Sequence, residues 1–277
     1  MSNVTDATDK DSPYYRSAIC LRDKHQQIHL TSGRTFHAWA LNFVPFSLSS
    51  AVLDAGCGWG RFTWHLIDTD TISATNVVCA DFSHNMLKLV HEEANKRHTM
   101  VMTCRCEIEH LPFGHSVFDV VMANHVLYHL TDIHAGLREL TRVLKPGGYL
   151  LATTNSERVP VPIIDLHYQA LTAAGVSFTP EQPSTFSMEN GTQLMREVFR
   201  HVSVHYFEDS SEYDTADAFV KNYQSTGRYQ NFIAREDIAQ ATKDRVLHIY
   251  RELTQDIINR EGKLIAPTLM GAFVCTN

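Results

Sequence analysis

The residues best suited to binding chemistry lie close together, in residues 51–63. Gly56, Gly58 and Gly60 alternate there behind an apolar run that ends at Asp54. Glycines at this spacing take the Cβ atoms off one side of a tight turn, so a ligand can lie against the backbone. The helix begun by Arg61-Phe62-Thr63 aims its unpaired N–H groups at the same spot, which suits an anionic group. Asp81 closes the next apolar run about 20 residues on, where a carboxylate accepts hydrogen bonds from ribose hydroxyls. The pattern predicts a nucleotide-like cofactor at the carboxyl end of a first strand. Arg61 stands where a dinucleotide fingerprint has its third glycine, which makes a nicotinamide dehydrogenase a poor fit.

His125 and His129 stand four apart, a spacing that puts two rings on one face of a helical turn and could hold a metal. No third ligand accompanies them, so no metal is expected. A histidine titrating near neutrality suits removal of a proton from a hydroxyl or ring nitrogen. His125, Tyr128 and His129 are therefore the candidate catalytic residues, with a structural role for His129 left open.

The elements that must position these groups alternate. Short apolar runs at 52–53, 77–80, 101–106, 118–123 and 149–154 read as strands, and helical patterns separate most of them. Ser83 precedes one helix as a cap, and Lys145-Pro146-Gly147-Gly148 breaks another. Alternation of this kind means a doubly wound, mostly parallel sheet covered by helices on both faces, a Rossmann-like α/β fold. Upstream, 13–46 reads as a helical arm, with Thr31 or Ser32 as a cap and Pro45 as its end. Downstream, 202–207 reads as a strand, 214–223 and 233–260 as helices, and 263–275 as a strand pair or long edge strand.

With the motifs taken together, the chain resembles the class I S-adenosylmethionine-dependent methyltransferases. The matching pieces are Val52-Leu53-Asp54-Ala55-Gly56-Cys57-Gly58-Trp59-Gly60, Asp81-Phe82-Ser83, Glu107-Ile108-Glu109-His110-Leu111-Pro112-Phe113, Phe118-Asp119-Val120-Val121, Asn124-His125-Val126-Leu127-Tyr128-His129-Leu130 and Arg142-Val143-Leu144-Lys145-Pro146-Gly147-Gly148. Six pieces in order over about residues 50 to 155 are specific where each alone is modest. The resemblance implies a seven-stranded sheet and S-adenosyl-L-methionine as cofactor. It implies that Asp54 anchors the turn and helps hold the methionine amino group. Gly56, Cys57 and Gly58 would present backbone to the methionine and ribose. Asp81 would accept from the ribose hydroxyls, Phe82 would lie on the adenine, and Met86 would complete that wall. Glu107, where the family usually has Asp, and the Ile108 N–H would read the adenine edge. Asn124 and His125 would sit near the methyl group.

The expected organisation is a disordered tail at 1–12, the arm at 13–46 and a methyltransferase domain at 47–277. Within that domain, 156–200 and 210–262 supply a helical substrate cap. Tyr14, Tyr15, His37, Tyr128, His167, Tyr168 and Tyr223 are the candidate substrate-pocket residues, an aromatic set suited to a partly apolar small molecule. A net charge of -7 without a basic run argues against nucleic acid. No apolar run reaches the ~18 residues of a membrane helix, and no signal peptide is apparent, so a cytoplasmic location is expected. Six scattered cysteines show no zinc spacing. Cys104 and Cys106 read as buried small residues on one face of a strand. A homodimer is kept as one assembly. The expected reaction is methyl transfer to a small metabolite. The alternatives are intramolecular S-adenosylmethionine chemistry releasing methylthioadenosine and a non-catalytic cofactor-binding subunit.

Overall fold

A computed structural model describes residues 30–158, 162–179 and 182–277. Tyr14, Tyr15 and the tail at 1–12 lie outside the described residues. The chain runs α1 (Phe36–Leu41), β1 (Val52–Ala55), α2 (Arg61–Asp68), β2 (Val77–Asp81), α3 (His84–Lys96), β3 (Met102–Arg105), β4 (Phe118–Asn124), α4 (Ile133–Val143) and β5 (Leu144–Asn155). It continues through α5 (Pro162–Ala173), α6 (Gly191–Arg196), β6 (His201–Tyr213), α7 (Ala216–Gln224), α8 (Gly227–Ile233), α9 (Gln240–Glu261) and β7 (Leu264–Thr276).

The seven strands form one sheet in the order β3-β2-β1-β4-β5-β7-β6. β1 to β5 pair in parallel, and β7 runs antiparallel between β5 and β6. β1, β2 and β4 are almost wholly buried, because helices cover both faces. Successive residues of β1 feed opposite layers. Leu53 and Ala55 pack with Leu137, Leu140 and Val143 of α4, while Val52 packs with Phe36 and Ala40 of α1 and Phe62 and Leu66 of α2. The strand order reverses between β1 and β4. Their carboxyl ends therefore border a crevice, the usual ligand position in an open α/β sheet.

Several boundaries differ from expectation for identifiable reasons. In the described part of the arm, residues 30–46, the helix is the six-residue α1, whose N-cap position is Thr35. Thr31 and Ser32 instead bond β6: the Thr31 N–H donates to the Ser210 carbonyl at 2.8 Å, and Ser32 meets the Asp209 carboxylate. β7 lies inside the sheet, and the edge is the thirteen-residue β6. The helix expected over 233–260 begins later, as α9 at Gln240, and a separate α8 capped by Thr226 precedes it. α6 lies on the sheet, with Met195 beside Phe273, so the helical cap is confined to α5 and α7–α9. Cys104, on the edge strand β3, and Cys106, just past its end, are half-buried rather than buried.

Candidate active site

The turn after β1 is tied to β2 by its own amides. The Gly56 and Cys57 N–H groups both donate to the Ala80 carbonyl, at 2.8 and 3.0 Å. The Gly58 N–H donates to Asp81 Oδ2 at 2.9 Å. These three donors are therefore spent within the protein. Through them the turn holds the end of β2 and Asp81. The two glycines then differ. Gly56 has φ +72°, and a Cβ there would come within 2.3 Å of Val126 Cγ2, so it permits close approach by the loop after β4. Gly58 has φ +55° and open space where a Cβ would stand, so it keeps a face of the crevice clear. Cys57 turns its side chain down among Trp64, Cys79 and Leu87, and burial pushes its thiol well above the usual range.

Asp81 is pinned from two sides, since the Ser83 N–H donates to its Oδ1 at 2.8 Å. The residue is only 8% exposed. Burial raises its pKa against the pull of the two amides and of nearby His129. Each oxygen keeps a lone pair for a further donor. Phe82 beside it is 67% exposed, a large apolar ring left in solvent next to a buried acid. Asp54 is buried and accepts from Thr63 Oγ1 at 2.8 Å. Burial, with Asp81 as a second negative neighbour, pushes its pKa up to about 7. Its observed contact is with α2, which fits the turn-anchoring role.

At the end of β4, Asn124 is 8% exposed, and neither its Oδ1 nor its Nδ2 has a partner among the described residues. A buried carboxamide without partners carries a substantial desolvation penalty and calls for a ligand. Thr153, its neighbour across the β4–β5 ladder, has a buried and equally partnerless Oγ1. His125 follows at φ +52°, uncommon for a residue with a side chain, and its ring sits 5.2 Å from that of Phe36. Its N–H donates to the Thr153 carbonyl at 3.0 Å, which locks that conformation. Tyr128 and His129 lie on a short 3₁₀ turn, rings 4.4 Å apart. Burial pushes the Tyr128 hydroxyl up to about 12, so it stays protonated at neutral pH and serves as a donor rather than a base. Among the described residues no cluster could hold a metal ion.

On the far wall, Met86 sits in the first turn of α3, its N–H on the Ser83 cap. Glu107 is exposed, 3.7 Å from His110 Nδ1, and Ile108 is buried at the start of a 3₁₀ turn. Asp119 is structural: it accepts from the Ala51 N–H and pairs with Lys145.

The substrate-pocket set divides. His37 lies where α1 crosses α2, its ring 4.9 Å from His65. His167 and Tyr223 are buried in the cap core, where Nδ1 of one and the hydroxyl of the other sit 2.6 Å apart. They are packing residues rather than pocket walls, a correction whose cause is their position on the inner faces of α5 and α7. Tyr168 stacks on Phe178 at 4.7 Å, also away from the crevice. Residues that sequence reasoning missed include Phe36, which covers His125, and Thr63, Val126 and Thr153. Thr63 follows Asp54 by nine positions and Val126 follows Gly56 by seventy, so only the folded chain joins them.

Comparison with known proteins agrees with this geometry. A family described as a methyltransferase domain matches residues 53–152. A demethylmenaquinone methyltransferase of Corynebacterium urealyticum is 39% identical over 99 residues, 36% of this chain and 39% of that protein. A malonyl-[acyl-carrier protein] O-methyltransferase of Pectobacterium atrosepticum is 30% identical over 139 residues, half of each chain. The chain spans between 31% and 55% of the length of such curated relatives. Among solved structures, a Haemonchus contortus phosphoethanolamine N-methyltransferase, in complex with phosphomonomethylethanolamine and S-adenosylhomocysteine, aligns with a TM-score of 0.57 at 16% identity. That alignment covers all of this chain and 61% of that one. The turn after the first strand, and β2 to β4 of the sheet, lie within residues 53–152, the part of this chain that is similar to a methyltransferase domain.

Proposed function

We propose that this chain transfers the methyl group of S-adenosylmethionine to a small organic acceptor in the crevice between β1 and β4. One observation carries the reading: the buried Asp81 carboxylate, pinned by Gly58 and Ser83 with lone pairs to spare, stands beside the exposed ring of Phe82. A carboxylate next to a bare aromatic face suits a nucleoside, with hydroxyls for the acid and a base for the ring. Asp81 and Phe82 would hold the adenosine, with Met86, Glu107 and Ile108 along its edge. Gly58 leaves room for the methionine part, and the partnerless Asn124 carboxamide supplies a donor and an acceptor beside it. When bound, the cofactor supplies an electrophilic methyl group on sulfur.

The protein's remaining tasks are to orient the acceptor, exclude water and remove a proton where the acceptor carries one. α1 roofs the crevice through Phe36, and the helical cap α5 and α7–α9 is the proposed source of further cover. His125 is the candidate base, and Tyr128 a hydrogen-bond donor beside it. The relatives are named for demethylmenaquinone and for malonyl-[acyl-carrier protein], so they support the reaction class without choosing the acceptor.

Titration calorimetry with S-adenosylhomocysteine tests the crevice: binding by the native protein and its loss in Asp81→Ala are expected, and equal affinity would sink the assignment. Incubation with labelled cofactor and a metabolite extract tests the chemistry. Label in an acceptor together with S-adenosylhomocysteine is the expected result. Methylthioadenosine without a labelled acceptor would replace methyl transfer by intramolecular chemistry, and no turnover despite tight binding would favour a non-catalytic subunit.

A further inference from the structure

Where α1 crosses the first turns of α2, three basic side chains gather. His37 and His65 meet ring edge to ring face at 4.9 Å, and His37 also lies 6.1 Å from the Phe62 ring. Arg61, the first residue of α2, is close enough to His37 to oppose its protonation. His37 Nδ1 is buried without a partner among the described residues. Arg61 is part-buried, and burial lowers its pKa. Arg34, Arg97, Arg142, Arg235 and Arg251 each pair with a carboxylate. No described carboxylate pairs with Arg61. Nearby acids are committed elsewhere: Asp54 accepts from Thr63, Asp68 pairs with Arg97, and Asp81 holds two amides.

A part-buried guanidinium without a counter-ion is unfavourable unless a ligand supplies one. The two histidines add N–H donors, and the first turn of α2 adds the positive end of its dipole. Burial, with Arg61 and His65 beside it, holds His37 down at about 3, so its ring is neutral at physiological pH and free to donate through one nitrogen. Phe36, the adjacent residue, touches His125, which puts the cluster at the rim of the crevice.

We infer that Arg61, His37 and His65 form a binding site for an anionic group, a carboxylate or phosphate, carried by a molecule seated in the crevice. The inference rests on the crevice assignment made above for its source of ligand, and the anion belongs either to the amino-acid end of the cofactor or to the acceptor.

Calorimetry on the full chain distinguishes these sources with three probes: S-adenosylhomocysteine, which carries a carboxylate, methylthioadenosine, which carries none, and malonate. Arg61→Met is expected to lower affinity for an anionic probe about 10- to 100-fold, the loss of a charge-assisted contact. Weaker S-adenosylhomocysteine binding with unchanged methylthioadenosine binding assigns the site to the cofactor. Unchanged nucleosides with lost malonate binding assign it to the acceptor. Equal affinities of native and variant protein for all three, or no malonate binding by either with unchanged nucleosides, overturn the inference. Should neither nucleoside bind the native protein, the crevice assignment fails and malonate alone decides the cluster. His37→Phe keeps the ring packing while removing the nitrogens. It carries the same test, with a loss of about 3- to 10-fold expected, if circular dichroism shows Arg61→Met unfolded.

Discussion

At the crevice, the buried carboxamide of Asn124 and the buried hydroxyl of Thr153 meet no partner; in the helical cap, the buried His167 ring and Tyr223 hydroxyl meet each other at 2.6 Å. The crevice side also concentrates uncommon backbone, with Gly56, Gly58, Gly60 and His125 all at positive φ. The cap is built of stacked rings, Tyr223 on Tyr250 at 3.9 Å and Tyr168 on Phe178 at 4.7 Å. One region leaves polar capacity and strain unresolved in its own fold, as ligand sites do, and the other, the Tyr250 hydroxyl apart, closes its hydrogen bonds on itself, as cores do. The family match at 53–152 covers the first region and none of the second.

The contrast breaks most visibly at Asp81. If its spare lone pairs serve two hydroxyls, Asp81→Ala removes two charge-assisted hydrogen bonds and weakens S-adenosylhomocysteine binding by about 3–5 kcal/mol, more than 100-fold. Calorimetry reads this directly. A loss under about tenfold would mean that Asp81 merely braces the turn through Gly58.

Gly56 tests the packing of the same wall. Gly56→Ala forces a Cβ against Val126 at positive φ, and a loss of about 2–4 kcal/mol in urea unfolding is expected. Combining it with Val126→Ala should show a coupling of about 1 kcal/mol or more, because the clash disappears while the backbone strain stays. Purely additive effects would mean that the loop after β4 already moves aside.

The cap offers a sharper internal test, since the Tyr250 hydroxyl is buried there without a described partner. In a region that is only core, Tyr250→Phe is neutral or stabilises by up to about 1 kcal/mol, because a desolvated hydroxyl leaves. His167→Phe instead orphans the Tyr223 hydroxyl and costs about 1–3 kcal/mol. Neither change should move cofactor affinity. A Tyr250→Phe variant that lost acceptor turnover with unchanged stability would make the cap interior part of the substrate site.

Much of the crevice side was legible in sequence because its strands are short, apolar and buried on both faces, and because the alternation admits one kind of sheet. Asp81 and Asn124 stand at the ends of β2 and β4. The roles of the turn amides were not legible, because Ala80 and Asp81 claim them only once β1 and β2 pair. β6 was read as six residues rather than thirteen. Glu208, Asp209, Ser210, Ser211 and Glu212 look like a polar loop, yet β7 pairs with them up to Tyr213↔Leu264. A strand made by its partner leaves no periodic signal of its own. The separate α8 leaves no such signal either, because hydrophobic spacing alone does not mark the Thr226 cap.

Phe82 gives the smallest and most discriminating effect. At 67% exposure its ring buries little, so Phe82→Ala should leave urea stability within about 0.5 kcal/mol. If the ring is a platform for an aromatic base, the same change lowers nucleoside affinity by about 0.5–1.5 kcal/mol, or roughly 2- to 13-fold. Phe82→Leu, apolar but without a π face, should fall between. The loss should appear equally with methylthioadenosine and S-adenosylhomocysteine, since both carry the base. A loss confined to S-adenosylhomocysteine would place the ring against the amino-acid end and invert the orientation proposed for the crevice.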